Sequence, residues 1–521
     1  MAIKPRIETL LAQLNERVLE KEELVRLALL SSIAGESIFL LGPPGVAKSL
    51  VARKLKFAYK NAKVFEYLMS RFSTPDEIFG PVSISKLKDK DEYERLTTNY
   101  LPDAEVVFLD EIWKAGPSIQ NTLLTVINEK KFRNGKSEIN VPMKALISTS
   151  NESPAHDLGL EALWDRFLVR LRVDGIANKD NFDAMISEKL NPYEDTVSEK
   201  ITNEEYKEWS KGIDEIEIPA NIFYVIDIIR KIIQVDNDKE ENAGNQMYVS
   251  DRRWRKIARL LRTSAFLNDR KEVDLIDCFL IKDCIWDEDR QRDAVWGYVC
   301  RAISEYGYMA SVDIKGIQGE LREFKTEIDG ETKIVTDERL TVPANAQSEY
   351  YELVMRPGNP TVNLIRQSDF KKLTNTDATM YLHYWNKNYQ KTEPYDRFGI
   401  RKGPSEFSVF VDDVEFQLKT EIKGAKRQIT KMPQPGIAKD WDEKIAGFLE
   451  RTADMKKHIE LCHSKDREHL RSNLFVDPSF ANFVDNHVTA AIKEIEKIEI
   501  EIREIQNGYK TIKEEEVVIN D

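Results

Sequence analysis

The sequence predicts an α/β fold on a mostly parallel sheet, joined to an α-helical domain and then to a helical stalk interrupted by a small β-rich domain. Three observations carry this expectation. Short apolar runs at Ser37 to Leu41, Val106 to Leu109 and Ala145 to Ser148 alternate with segments of helical periodicity, the pattern of buried parallel strands and crossover helices. Between roughly Tyr206 and Tyr308 the periodicity is helical. From about Glu331 to Gln428 strand-like alternation takes over, broken by Pro-Gly and Asn-Pro turns.

Bulk properties set the limits. A chain of 521 residues exceeds one ordinary core, so about three or four units are expected. With 41% hydrophobic and 32% charged residues it can bury cores and stay dissolved. A formal net charge of -13 speaks against general affinity for a nucleic-acid backbone, which needs clustered Lys and Arg. Cys278, Cys284, Cys300 and Cys462 show no CxxC spacing, and His458, Cys462 and His463 lack a second ligand pair. They read as buried or inert thiols of a reducing compartment. The start of the chain has no apolar run of signal-peptide length, and no stretch approaches the ~20 apolar residues of a membrane helix, so the cytoplasm is expected.

Each element follows from its pattern. From Ile7 to Ala34, Leu10, Leu11, Leu14, Val18, Leu24, Leu27 and Leu30 recur at helical spacing and lead into the first strand. The segment Phe79 to Lys88, with a mixed-charge run to Arg95, reads as an insertion loop, either contacting a substrate or forming a plain solvated hairpin. Ile222 to Ile233, Trp254 to Leu267 and Val273 to Trp286 are the clearest runs of the helical domain. Tyr350 to Met355, Thr361 to Ile365 and Phe407 to Phe416 read as strands, and Lys431 to Gly436 as a linker. Trp441 to Leu461 and Asn482 to Ile512 are helical, and Met309 to Phe324 could pack against them. The expected division is 1–200 (α/β), 201–308 (helical), 309–330 with 437–521 (triple-helical) and 331–436 (β-rich insertion).

Gly42-Pro43-Pro44-Gly45-Val46-Ala47-Lys48-Ser49 fits the phosphate-binding pattern G-x-x-x-x-G-K-[ST] everywhere except its last glycine, which is Ala47 here. Such a loop wraps backbone N–H groups round a phosphate at a helix start, a lysine reaches the β- and γ-phosphates, and a hydroxyl ligates Mg²⁺. Lys48 and Ser49 are placed for the last two tasks. Ala47 restricts the backbone more than glycine, so the loop must keep a φ that a Cβ tolerates.

Downstream, Val106-Val107-Phe108-Leu109-Asp110-Glu111 reads as a buried strand ending in two acids. After a phosphate loop, this places Asp110 in the Mg²⁺ shell and Glu111 on the attacking water of ATP hydrolysis. Alone, such acids are as often helix caps or solvated turns. Leu146 to Ser150 delivers Asn151, whose amide could bond the γ-phosphate or the water, although Asn is also a common turn residue. Arg166, at a domain edge, could reach a neighbouring subunit and stabilise the transferring phosphoryl, against the bland alternative of a surface salt bridge. Arg252 stands in the first turn of a capped helix, where positive charge opposes the helix dipole, so a phosphate partner explains it better than plain surface charge.

Taken together, Gly42 to Ser49, Leu109 to Lys114, Ser150 to Glu152, Asp165 to Phe167 and Ser250 to Arg252 resemble the MoxR branch of AAA+ ATPases, and within it the RavA type. Glu66 to Pro75 and Lys131 to Gly135 share the likeness. It is dense from about Gly35 to Arg172, returns at Tyr248 to Leu261, and beyond residue 310 is one of architecture alone. The resemblance implies a P-loop α/β module with a helical lid, ATP and Mg²⁺ as ligands, and an alanine before the P-loop lysine as usual. It implies Asn151 as sensor 1, Arg166 as arginine finger and Arg252 as sensor 2. It also implies a homo-hexamer working with a ViaA-like von Willebrand A-domain protein, and in some members a lysine decarboxylase bound through the β-rich domain. No shared motif stands in this β-rich segment. The alternatives are a nucleic-acid-directed motor and a scaffold merely locked by nucleotide.

Overall fold

The structure, a computed structural model, describes residues 2–154, 159–187, 195–240, 245–308, 313–347, 349–354, 364–373, 380–382, 398–411 and 413–520. Of the expected elements, the start of the 309–324 helix, Met355, the 361–363 portion of a strand and Asp412 lie outside them, as does the side chain of Cys462. The backbone divides into two units: one holds Met1–Ile314 with Arg451–Lys497, the other Lys315–Glu450 with Ile498–Asp521.

Among the described residues of the first unit, seven strands arise in order: β1 (Ser37–Leu41), β2 (Val64–Leu68), β3 (Val106–Asp110), β4 (Lys131–Asn134), β5 (Ser137–Asn140), β6 (Ala145–Ser150) and β7 (Phe167–Arg172). Five of them form a sheet in the order β2-β3-β6-β1-β7, and every pairing in it is parallel. β1 and β6 are buried at every residue, as central strands covered on both faces must be. The helix Glu22–Ala34 beside them is buried from Leu27 to its end and stops at Gly35, whose φ of 76° is the usual left-handed cap.

Two sheet strands escaped the sequence reading. β2 carries Glu66 and lies at the sheet edge with alternate residues exposed, so its apolar run is short. β7 is interrupted by Arg170 and Arg172, and Arg170 is fully buried only because distant groups receive its charge. The segment expected as an open loop or hairpin holds a helix, Ile84–Lys90. Ser83 starts it by accepting the Lys86 N–H, and Val82 bridges back to Arg95. Asn134, in the turn of the β4–β5 hairpin, accepts the Arg95 N–H at 2.7 Å and donates to its carbonyl at 3.0 Å, which fixes the return segment.

The helical runs appear as Asn203–Asp214, Ala220–Asn237, Asp251–Leu267 and Arg292–Arg301. The expected helix at Val273 to Trp286 is a 3₁₀ run, Leu275–Asp283, in which Asp277 is drawn to the Arg270 guanidinium and the Ser264 hydroxyl. Within the same unit, Asn268 accepts the Leu474 N–H at 3.1 Å, Asn473 accepts those of Phe475 and Val476, and Phe480 lies 4.6 Å from Trp296.

In the second unit Lys333–Pro343, Thr420–Thr430 and Glu515–Asn520 form a three-stranded sheet with Thr420–Thr430 in the middle. The strand Glu515–Asn520 closes a stretch expected as helical. Leu353, Ile365, Phe370, Ile400, Val409 and Leu418 make a small β core. Gly436, expected in a linker, already belongs to the helix Pro435–Arg471, whose first-turn proline costs no hydrogen bond. Trp441 packs on Tyr509 at 5.2 Å and donates to Glu327 at 2.9 Å. Among the described residues no helix is long and apolar enough to cross a membrane.

Candidate functional site

Because β1, β6 and β3 are neighbouring and parallel, their carboxyl ends deliver Gly42, Asn151 and Asp110 to one rim of the sheet. Leu41 pairs with Ser150 and Leu109 with Ser148, so Asn151 emerges between the phosphate loop and the acidic strand end. This rim is where open parallel sheets bind ligands.

The loop's shape follows from its small residues. Gly42 donates its N–H to the Ser150 carbonyl at 3.2 Å, and a Cβ there would stand 2.1 Å from the Val173 oxygen. Gly45 has φ 83° and Ala47 φ 65°. The φ a Cβ tolerates is thus met at Ala47 only in the small left-handed region, where alanine costs roughly 1–2 kcal/mol. Pro43, Pro44 and Gly45 are exposed, Val46 is half-buried, and the chain enters the helix Lys48–Leu55 with its N–H groups facing the loop.

Lys48 is buried, and its ammonium donates to Asn151 Oδ1 at 2.7 Å, to the Pro43 carbonyl at 3.1 Å and to the Gly42 carbonyl. Burial holds its pKa below the ordinary lysine value, against the pull of Asp110 and Glu111. Asp110 accepts the Thr149 hydroxyl and the Glu111 N–H. Glu111 has φ 53°, and its carboxylate lies 3.2 Å from the Lys114 ammonium. Each charged group of the rim is thus held by a neighbour. Thr149 and Lys114 were not foreseen, since neither spacing nor residue type marks them.

The donor set suits a hard cation. Ser49 and Asp110 offer oxygen, and among the described residues no cluster of three or more His, Cys, Asp or Glu could cage a metal alone. Mg²⁺ is commonly bound this way, through one or two protein oxygens plus phosphate and water.

The arginines lie elsewhere. Arg166 precedes the amino end of β7, and Phe167 pairs with Ser37, five residues before Gly42. At about 3.3 Å per residue this sets Arg166 roughly 16 Å along the strands from the phosphate loop, more than its side chain spans. Burial first, then the charge of Arg252, lowers its pKa. Arg166 and Arg252 line a cleft of about 1210 Å³ together with Asp165, Tyr248, Arg253 and Asp287, and none of Gly42 to Ser49 does.

The cleft is built around buried charge. Ser250 caps the helix Asp251–Leu267 by accepting the Arg253 N–H and donates its hydroxyl to Asp165 at 3.0 Å. Buried Arg253 pairs with Asp165 at 3.0 Å and Asp287 at 3.2 Å. Arg170 also takes Asp287 at 2.7 Å, and burial together with Arg253 pushes its pKa down to about 9, still charged at neutral pH. The cleft carries Arg166, Arg252, Arg253 and Arg290 beside the carboxylates of Glu161, Asp165, Asp251, Asp287, Glu288 and Asp289, with Arg170 buried behind it. The Nε of Arg166 is buried with no partner among the described residues, and its other contact is Asp165 at 3.5 Å. Arg170 and Arg253 were missed as members of this network, since a buried cation shows in sequence only as an interruption of an apolar run.

Comparison with known proteins gives the family context. Residues 5–210 match a family model described as the MoxR domain in the MoxR-vWA-beta-propeller ternary systems, and residues 221–299 match an AAA lid domain. Two uncharacterized proteins of Methanocaldococcus jannaschii are similar. One is 38% identical over 288 residues, covering 55% of this chain and 71% of that protein. The other is 36% identical over 283 residues, covering 54% and 72%. A structural protein of Acidianus two-tailed virus is 28% identical over 258 residues, covering 46% of this chain and 41% of that one.

Proposed function

The chain belongs to the MoxR family of AAA+ ATPases, and from that premise we propose that it hydrolyses ATP in a hexameric ring to remodel or chaperone partner proteins. The observation that carries this reading is the separation of the two rims. Lys48, Asp110 and Asn151 gather at the carboxyl ends of the strands, while Arg166 stands before the amino end of β7 and lines a cleft with Arg252, its Nε buried with no partner among the described residues. Such a chain completes a phosphoryl-transfer site only by lending its arginines to a neighbour.

Lys48 exchanges the Gly42 and Pro43 carbonyls for the β- and γ-phosphates of ATP. Ser49 and Asp110 would hold Mg²⁺, which when bound would neutralise charge developing on the phosphates. Glu111 leaves Lys114, orients the attacking water and takes its proton, and Asn151 turns from Lys48 to the γ-phosphate. Arg166 from the adjacent protomer stabilises the transferring phosphoryl, with Arg252 beside it. Only contacts that differ between ATP and ADP drive the ring, and these exchanges supply them.

Kinship with the RavA-type branch, and a von Willebrand A-domain partner, belong to the same proposal. The partner is supported by the description of the matching model. A lysine decarboxylase partner rests on the RavA resemblance alone. A nucleic-acid motor is the competing reading, opposed by the net charge of -13 and revived by DNA-stimulated turnover in moderate salt.

The test is the solution mass of Glu111→Gln by light scattering with and without ATP and Mg²⁺, because this variant binds ATP and holds it. A shift from monomer to a six-subunit particle is expected. A particle that stays monomeric with ATP bound would overturn the ring.

A further inference from the structure

We propose that Trp113 is a positioning residue that ties the state of a protomer's own phosphate site to the arginine pair it presents to its neighbour; this rests on the trans-arginine reading above. Sequence puts Trp113 two residues after Glu111, in the 3₁₀ turn Ile112–Lys114 that also carries the lysine holding Glu111. It puts Trp164 two residues before Arg166 and Phe167 directly after it.

The fold joins these two short segments through a column of rings. Trp113 lies 5.2 Å from Phe39, 5.9 Å from Trp164 and 6.2 Å from Phe167. Phe39, in the middle of β1, meets Trp164 edge-on at 4.9 Å. Trp164 continues to Trp286 at 6.0 Å and carries the Arg170 guanidinium 3.9 Å from its ring centre. Arg170 in turn shares Asp287 with Arg253. Both ends of this path are functional groups, Glu111 at one and the arginine cleft at the other.

The indole N–H groups of Trp113 and Trp164 are both buried without an acceptor among the described residues. Tryptophans in a fixed core position usually find an acceptor. Here no acceptor among the described residues anchors either indole N–H, and packing, with the Arg170 guanidinium over Trp164, sets the rings, so they follow whatever moves their neighbours, and a close-packed interior passes such a shift on rather than absorbing it. The trigger is on the same turn. Glu111, in a left-handed conformation and paired with Lys114, gives up that pair to orient water, and the Ile112–Lys114 turn moves with it. Trp113 then displaces Trp164 and Phe167, which flank Asp165 and Arg166. The Arg166 side chain can respond, because its Nε has no partner among the described residues and its contact with Asp165 is long, at 3.5 Å.

The full-length protein tests this with ATP and Mg²⁺. The readouts are the Hill coefficient of phosphate release and the turnover of wild-type chains mixed with Glu111→Gln chains, which hold ATP. Wild type is expected to be cooperative and to be poisoned out of proportion to the fraction of held subunits. In Trp113→Phe the Hill coefficient falls to about 1 and poisoning becomes proportionate. Trp164→Phe breaks the column from its other end, should give the same result, and serves if Trp113→Phe does not fold. Variants as cooperative as wild type, or a wild type with no cooperativity, would overturn the coupling. Arg166→Ala separates the two ideas. If it leaves turnover unchanged, the trans-arginine reading fails and the coupling with it; if it abolishes turnover while Trp113→Phe behaves as wild type, only the coupling fails.

Discussion

Ala47 occupies a position where glycine would be free of strain, at φ 65°, and this is where single-residue chemistry is most exposed to test. A β-branched side chain fits that conformation worse than alanine does. Ala47→Val is therefore expected to lower stability by about 2 kcal/mol and to weaken ATP binding, read by thermal denaturation and nucleotide titration. Ala47→Gly should bind as well as wild type. Arg166→Ala should keep ATP binding and lose roughly 10³-fold in phosphate release, as removal of an arginine finger does. Lys48, Ser49, Asp110 and Glu111 could be singled out as candidates because cradle, cation and hydroxyl stand at fixed spacing and the two acids end an apolar run, whereas Asn151, a weak signal by itself, was singled out by its place after a further strand. Lys114 and Thr149 were not, because their roles come from contacts that the turn after β3 and the pairing of β3 with β6 create.

At the scale of elements, the arginine cleft depends on how one helix begins. Ser250 both caps the helix Asp251–Leu267 and donates to Asp165. Ser250→Ala should cost about 1 kcal/mol of stability and depress turnover, since Arg252 rides on the first turn it fixes. A drop in melting temperature with unchanged turnover would detach the cap from function. Gly42→Ala should abolish nucleotide binding, because its Cβ would meet the Val173 carbonyl at 2.1 Å, a backbone atom that cannot swing aside. The strands β1, β3 and β6 were readable as apolar runs because central parallel strands are buried on both faces. β2 was hidden by its edge position and β7 by Arg170, whose burial is stabilised by Asp287 and the Trp164 carbonyl.

For the molecule as a whole, the first unit is discontinuous in sequence, taking Arg451–Lys497 together with Met1–Ile314. Phe475 and Val476 are buried there, at 2% and 1% exposed. A fragment ending at residue 314 lacks both and should melt below the full chain by several degrees, since losing one buried phenylalanine side chain alone costs about 3 kcal/mol. A second long-range tie is Arg6 to Glu205, which joins the helices Lys4–Leu14 and Asn203–Asp214. The Arg6 hydrogen bond, ahead of the opposing effect of burial, lowers the Glu205 pKa from its ordinary 4.5 to about 2. A depressed carboxylate stabilises the fold above its unfolded pKa, and that contribution is lost as pH falls through the folded value. The stability gap between wild type and Glu205→Gln should thus be full at pH 6 and narrow as pH falls from about 4.5 towards 2, followed by thermal melts across that range.

Sequence by itself determined the phosphate loop, the acidic strand end, the central strands and the helical runs, because each is encoded by local periodicity or by residues at fixed spacing. Only the tertiary structure decided which of those residues face one another. Strand order brought Asn151 between Gly42 and Asp110, and the direction of β7 carried Arg166 to the far rim beside Arg252. Neither is a property of any short stretch of chain. Parallel strands leave the order of the sheet to packing, and it is that order which separates the phosphate loop from the arginines.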